Sequence, residues 1–100
     1  MVTKVRIKPS QYYDSVALME AARELTQLPG VVDAAIVMAT EANKSILREA
    51  GLFLPEIEPA TANDLVIVVK AESEEAAARA LEAAEAHLAR RPLRLRLARR

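Results

Sequence analysis

Apolar and charged residues alternate along the first segment of the chain, with Val5 and Ile7 on one side of residues 2–8 and Lys4, Arg6 and Lys8 on the other. A period of two is that of a half-buried strand, and Pro9-Ser10 ends it. The period then changes. After Asp14 or Ser15, either of which suits a helix N-cap, Leu18, Ala22 and Leu25 recur at helical spacing up to Leu28, where Pro29-Gly30 stops the helix. Residues 31–38 are rich in Val and Ile and predict a second strand. Thr40 caps a shorter helix that ends at Gly51. Residues 52–63 contain Pro55 and Pro59 and no clean period, which predicts an ordered loop whose apolar members, Leu52, Phe53, Leu54 and Ile57, fold back onto the body. Residues 65–69 are apolar without alternation, the mark of a strand covered on both faces. Ser73 caps a long helix from Glu74 to about Arg90, with Leu81, Ala84 and Leu88 inward. Pro92 follows, and Leu93-Arg94-Leu95-Arg96-Leu97 alternates like a fourth strand.

This order is an α+β arrangement: a ferredoxin-like β-α-β-(α)-β-α-β sandwich with a helix-loop insertion between strands 2 and 3. A doubly wound parallel sheet would need longer helical crossovers and a glycine-rich first turn. Residues 1–100 make one domain, with residues 91–100 read either as the fourth strand or as the start of a linker.

Three polar clusters sit where apolar segments begin or end: Tyr12-Tyr13-Asp14-Ser15, Thr40-Glu41-Ala42-Asn43-Lys44 and Thr61-Ala62-Asn63-Asp64. In a sheet of order fourth, first, third, second, the first two strands are parallel and their C-terminal ends flank the start of the third. Asp14, Ser15, Thr40, Asn43, Lys44, Thr61, Asn63 and Asp64 therefore converge on one edge. Two helix N-termini also point their unpaired N–H groups there, and Lys44 adds a mobile positive charge. The functional reading is a pocket for a small anionic ligand bearing a carboxylate or phosphate. The simpler reading is that the same residues are caps and turn formers.

A second candidate surface is the outer sheet face. Lys4, Arg6 and Lys8 would lie beside Arg94 and Arg96, and the third strand offers the same face either Val66 and Val68 or Leu65 and Ile67. An apolar stripe beside a basic one suggests a covering partner, either another copy in a homo-oligomer or a neighbouring domain. Nucleic acid fits poorly, because the strands lack aromatic stacking residues.

Composition narrows the chemistry. There is no cysteine, which removes disulfides, thiolate catalysis and cysteine-based metal sites. The single histidine, His87, stands in an Ala- and Glu-rich helix and reads as a surface residue, not a ligand. With only Gly30 and Gly51, no phosphate-cradling glycine loop exists. No cofactor and no independent catalysis are expected. The lack of cysteine suits a cytoplasmic location, and no apolar run nears the roughly 20 residues that span a bilayer, so no membrane association is expected. The net charge of zero hides an asymmetry: residues 90–100 carry six arginines, whereas residues 1–89 carry eight Lys and Arg against 14 acids.

Tyr13-Asp14-Ser15-Val16 with Leu18-Met19, Val37-Met38-Ala39-Thr40-Glu41-Ala42-Asn43-Lys44 and Ala60-Thr61-Ala62-Asn63-Asp64-Leu65 resemble the N-terminal region of FdrA-like proteins. These acyl-CoA synthetase-like relatives of the succinyl-CoA synthetase alpha subunit are associated with oxamate carbamoyltransferase activity. The resemblance covers residues 4–90 and departs at Ala39, where the family has Gly, and at Ala62, where it has Pro. It implies a noncatalytic accessory domain that binds a ligand or docks onto a CoA-binding or ligase domain, and no CoA, nucleotide or phosphohistidine position matches this chain. The alternative is a standalone ACT-like regulatory domain that binds a small molecule and dimerises.

Overall fold

The computed structural model describes the backbone of residues 1–9 and 15–97 and the side chains of residues 1–9 and 16–88. Strands β1 (Val2–Lys8), β2 (Val31–Met38) and β3 (Leu65–Ala71) and helices α1 (Ser15–Thr26), α2 (Glu41–Ala50) and α3 (Glu74–Leu97) follow in the order β1-α1-β2-α2-β3-α3, with a short 3-10 turn at Pro55–Ile57 before β3. The sheet order is β1-β3-β2, and both outer strands run antiparallel to β3. This is the expected α+β, ferredoxin-like arrangement with a helix-loop insertion, built on three strands.

The local chemistry explains the boundaries. Thr40 caps α2 by accepting from the Asn43 N–H at 3.1 Å, and Ser73 caps α3 by accepting from the Ala76 N–H at 3.2 Å. Gly51 closes α2 in the left-handed region (φ +78°), and the Leu52 N–H returns to the Leu47 carbonyl. Gly30, at φ +83°, makes the turn into β2, and its carbonyl accepts from the Glu72 N–H at 2.7 Å.

The central strand is covered on both faces, as its unbroken apolar run predicts. Leu65, Ile67 and Val69 pack under α1 and α3 against Leu18, Ala21, Leu25, Ala80, Leu81 and Leu88. Val66 and Val68 lie beneath the insertion, against Leu47, Leu52, Ile57 and Ala60, with Val5, Ile7, Ala35 and Val37 at the margin. Segment 52–60, through Leu52, Ile57 and Ala60, thus forms a second cover of the sheet, made by the chain itself.

The fourth strand is not formed. Residues 93–97 continue α3, which runs for 24 residues. Leucine and arginine are good helix formers and none of these residues is β-branched, so extending an existing helix avoids a new nucleation step. Pro92 removes the one helical bond its N–H would have given to the Leu88 carbonyl. Residues 10–14 and 98–100 lie outside the described residues.

Candidate functional site

Strand pairing brings the ends of the three strands together. Lys8 and Met38, the last residues of β1 and β2, both pair with Leu65, the first residue of β3. The chain segments carrying the second and third polar clusters are bonded directly, through the Ala39 N–H and the Asp64 carbonyl at 2.9 Å. Asp14 lies outside the described residues, and Ser15 opens α1 with its side chain outside them.

Within this junction the polar groups turn onto the main chain. The Asn43 side-chain amide donates to the Met38 carbonyl at 2.8 Å, tying the start of α2 to the end of β2. Thr40 is the α2 cap. The Asp64 carboxylate accepts from the Thr61 N–H at 2.9 Å, and the Thr61 hydroxyl accepts a longer bond from the Asn63 N–H at 3.4 Å. These are turn and cap bonds. Thr61 and Asn63 are exposed, whereas Asn43 and Asp64 are half-buried.

Lys44 departs most from its expected role. It is 5% exposed instead of forming a mobile surface charge. Its Nζ donates to the Glu58 carbonyl at 2.9 Å and lies 3.8 Å from a Glu41 carboxylate oxygen. Lys44 therefore fastens α2 to the loop that covers the sheet. The two helix N-termini at this end are also separated by the sheet, since α1 packs on the Ile67 face and α2 on the Val66 face.

The basic-apolar face is corrected by the register. Lys4 pairs with Val69 and Arg6 with Ile67, so both lie on the α1/α3 side, whereas Val66 and Val68 pair with Ile7 and Val5 and face the insertion. Val66 and Val68 are fully buried by the chain's own loop and present no stripe to a partner. Of the two options for β3, Leu65 and Ile67 share the basic side, and the helices cover them. The side chains of Arg94 and Arg96 lie outside the described ones. Arg6 instead donates to Glu85 on α3 at 2.7 Å, with Lys8 at 3.7 Å from the same carboxylate. The Arg6 hydrogen bond holds the Glu85 carboxyl below the usual range, with burial opposing it and the charges of Arg6 and Lys8 adding to it.

Two features lie outside the expected site. Val16 and Met19 on α1 are 61% and 70% exposed, and with Glu20 and Arg23 they line a shallow cleft of about 260 Å³. The run of four apolar residues from Val16 to Met19 signals this, because one inward helix face cannot hold all four. His87, expected at the surface, is half-buried in a cleft between α1 and α3 lined by Ala21, Glu24 and Leu25, and its Nε2 is buried without a hydrogen-bond partner among the described residues.

The family model described as "AllF, heavy metal-associated domain" matches residues 1–96. The chain belongs to this family. It is also 45% identical over 73 residues to the Escherichia coli K12 protein named "Uncharacterized protein YahF", a match covering 73% of this chain and 14% of that relative. The chain thus matches a small part of the curated relative's length. No solved structure matches it.

A heavy-metal site draws on thiolate, imidazole and carboxylate donors. This chain has no cysteine and one histidine, and no group of three or more His, Asp or Glu residues is placed to hold an ion among the described residues. Among the described residues the donor set does not fit the metal that the family description implies. No helix among the described residues is long and apolar enough to cross a membrane.

Proposed function

We propose that this chain is a noncatalytic accessory domain of an FdrA-like acyl-CoA synthetase or carbamoyltransferase-related protein, and that it docks onto the CoA-binding or ligase part of that protein. The observation that carries the docking reading is the contrast between two surfaces. At the strand-end junction, Thr40, Asn43, Lys44 and Asp64 are engaged by the chain's own backbone. On α1, Val16 and Met19 stand exposed one helical turn apart. A partner surface would bury both, at a hydrophobic gain of about 1.5–3 kcal/mol for each fully covered side chain. The match to a short part of a much longer relative agrees with an accessory role.

Titration of the chain into the recombinant CoA-binding domain of an FdrA-like protein, followed by calorimetry, tests this. Saturable binding that weakens about tenfold or more in a Val16→Asp, Met19→Asp variant is the expected result. Phosphate, carbamoyl phosphate and oxamate should leave the melting temperature unchanged. Absence of binding, or stabilisation by one of these anions that disappears in Asn43→Ala, overturns the docking reading.

A further inference from the structure

The two outer strands of the sheet differ in charge. β1 carries Lys4, Arg6 and Lys8 within seven residues, so two β1 edges brought together would oppose like charges. β2 has no such protection. Its only ionisable residue is Asp33, and from Ala34 to Met38 it is apolar and free of proline. A strand of that composition at the margin of a sheet is a template for adding another unless its outward backbone groups are already used.

The hydrogen bonds at both ends of this stretch use them. In an antiparallel ladder every second residue directs its N–H and C=O to one side, and the residues between direct theirs to the other. The Ala34 N–H goes to the Asp33 carboxylate at 2.9 Å. The Met38 carbonyl accepts from the Thr40 N–H at 2.9 Å and from the Asn43 amide at 2.8 Å. Ala34, Ile36 and Met38 therefore face away from β3, and Ala35 and Val37 face toward it. Of the three outward residues, Ala34 has its donor engaged within the chain and Met38 its acceptor. Ile36 alone among them offers a complete pair. Before Ala34 the register with β3 shifts between Val31 and Asp33, an irregularity of the kind that turns an edge out of line.

We infer that Asp33 is an edge guard: its carboxylate, held on the Ala34 N–H, closes β2 to strand addition and leaves association of the folded domain to other surfaces. The register shows what the guard prevents. Without the carboxylate, Ala34 becomes a complete pair beside Ile36. Two such edges can then meet antiparallel about Ala35, with Ala34 of each opposite Ile36 of the other, making four backbone bonds that need no part of the Met38 carbonyl. In the wild type two of those four are lost, because each Ala34 N–H is held by its own Asp33.

Sedimentation velocity of the full chain from micromolar to millimolar concentration, combined with amide hydrogen exchange, tests the guard. In the wild type the Ile36 amide should gain no protection as concentration rises. Asp33→Ala should associate at least about tenfold more tightly, with the Ile36 amide protected in the associated form. Asp33→Asn keeps a carbonyl oxygen for the Ala34 N–H while losing the charge, and should behave as the wild type. Adding Ala34→Pro to Asp33→Ala removes the outward donor altogether and should abolish the gain. The inference is overturned if Ile36 protection in the wild type rises with concentration, or if Asp33→Ala associates no more tightly than the wild type. Association of Asp33→Asn equal to that of Asp33→Ala also overturns it, since charge and not the bond would then be the guard. Should circular dichroism show Asp33→Ala unfolded, Asp33→Val, which lacks the acceptor and favours a strand, takes its place.

Discussion

Lys44 separates a ligand group from a structural clamp, and its replacement by methionine tests which it is. Methionine keeps most of the buried stem and removes the ammonium, so Lys44→Met deletes the bond to the Glu58 carbonyl at 2.9 Å with little change of volume. A hydrogen bond to a charged group contributes about 1.5–3 kcal/mol. The contact with Glu41 adds little, because that carboxylate is 90% exposed at 3.8 Å. Against these stands the cost of holding an ammonium at 5% exposure. Glu58 itself is exposed, so water can partly replace the lost donor. A net loss of about 1 kcal/mol follows for Lys44→Met. Lys44→Ala removes in addition about three methylenes, at about 0.8 kcal/mol each, for a total near 3 kcal/mol. Urea unfolding at neutral pH measures both, with midpoints ordered wild type, Met, Ala. If Lys44→Met proves as stable as the wild type, the bond to Glu58 makes no net contribution and the clamp argument fails.

The two glycines offer a matched pair, since both have φ near +80° but only Gly30 is crowded: an added Cβ would lie 2.9 Å from the Ala76 Cβ, against 4.0 Å from the flexible Lys70 Nζ at Gly51. Gly51→Ala should cost about 1–2 kcal/mol from backbone strain alone, and Gly30→Ala about 1–3 kcal/mol more from overpacking against α3; equal losses in chemical denaturation would refute the steric part. At Glu85 the folded carboxyl titrates below its unfolded value, so its stabilisation is fully present above the ordinary glutamate range and is lost as pH falls through the depressed folded value. Glu85→Gln should therefore lower stability by about 0.5–1 kcal/mol at pH 7, a figure kept small because the three side chains are 27–44% exposed. The difference should vanish in acid, and an undiminished difference there would contradict the ion-pair origin.

What could be read in the sequence was mostly set by neighbouring residues. The caps at Thr40 and Ser73 and the stops at Pro29-Gly30 and Gly51 depend on chemistry within one turn, and the apolar run 65–69 announced a strand buried on both faces. The junction of strand ends followed from topology. Three features depended on partners distant in sequence. The phase of β3 against β1 decides whether Lys4 and Arg6 share a face with Val66 or with Ile67, and a shift of one residue exchanges the answers. Lys44 is buried because a carbonyl 14 residues away receives it. Residues 93–97 satisfy two patterns at once, alternation and high helix propensity, and attachment to α3 favours the second.

A domain that docks as proposed carries its functional weight on its surfaces. The family description points to a heavy metal, yet the chain lacks cysteine and has one histidine, in the seam between α1 and α3. The β-α junctions of a ferredoxin-like sheet can supply unpaired N–H groups and polar caps to a ligand. In this chain Thr40 and Asn43 use their hydrogen bonds to fix the entry to α2, while Lys44 fixes the loop that covers Val66 and Val68. Substitution of these residues should therefore reach stability before recognition. The α1 stripe of Val16 and Met19 obeys the opposite rule: both side chains stand exposed among the described residues, so their substitution should reach association first. Measuring stability and association on the same variants separates the two roles, because a frame residue moves both through unfolding whereas a surface residue moves association alone.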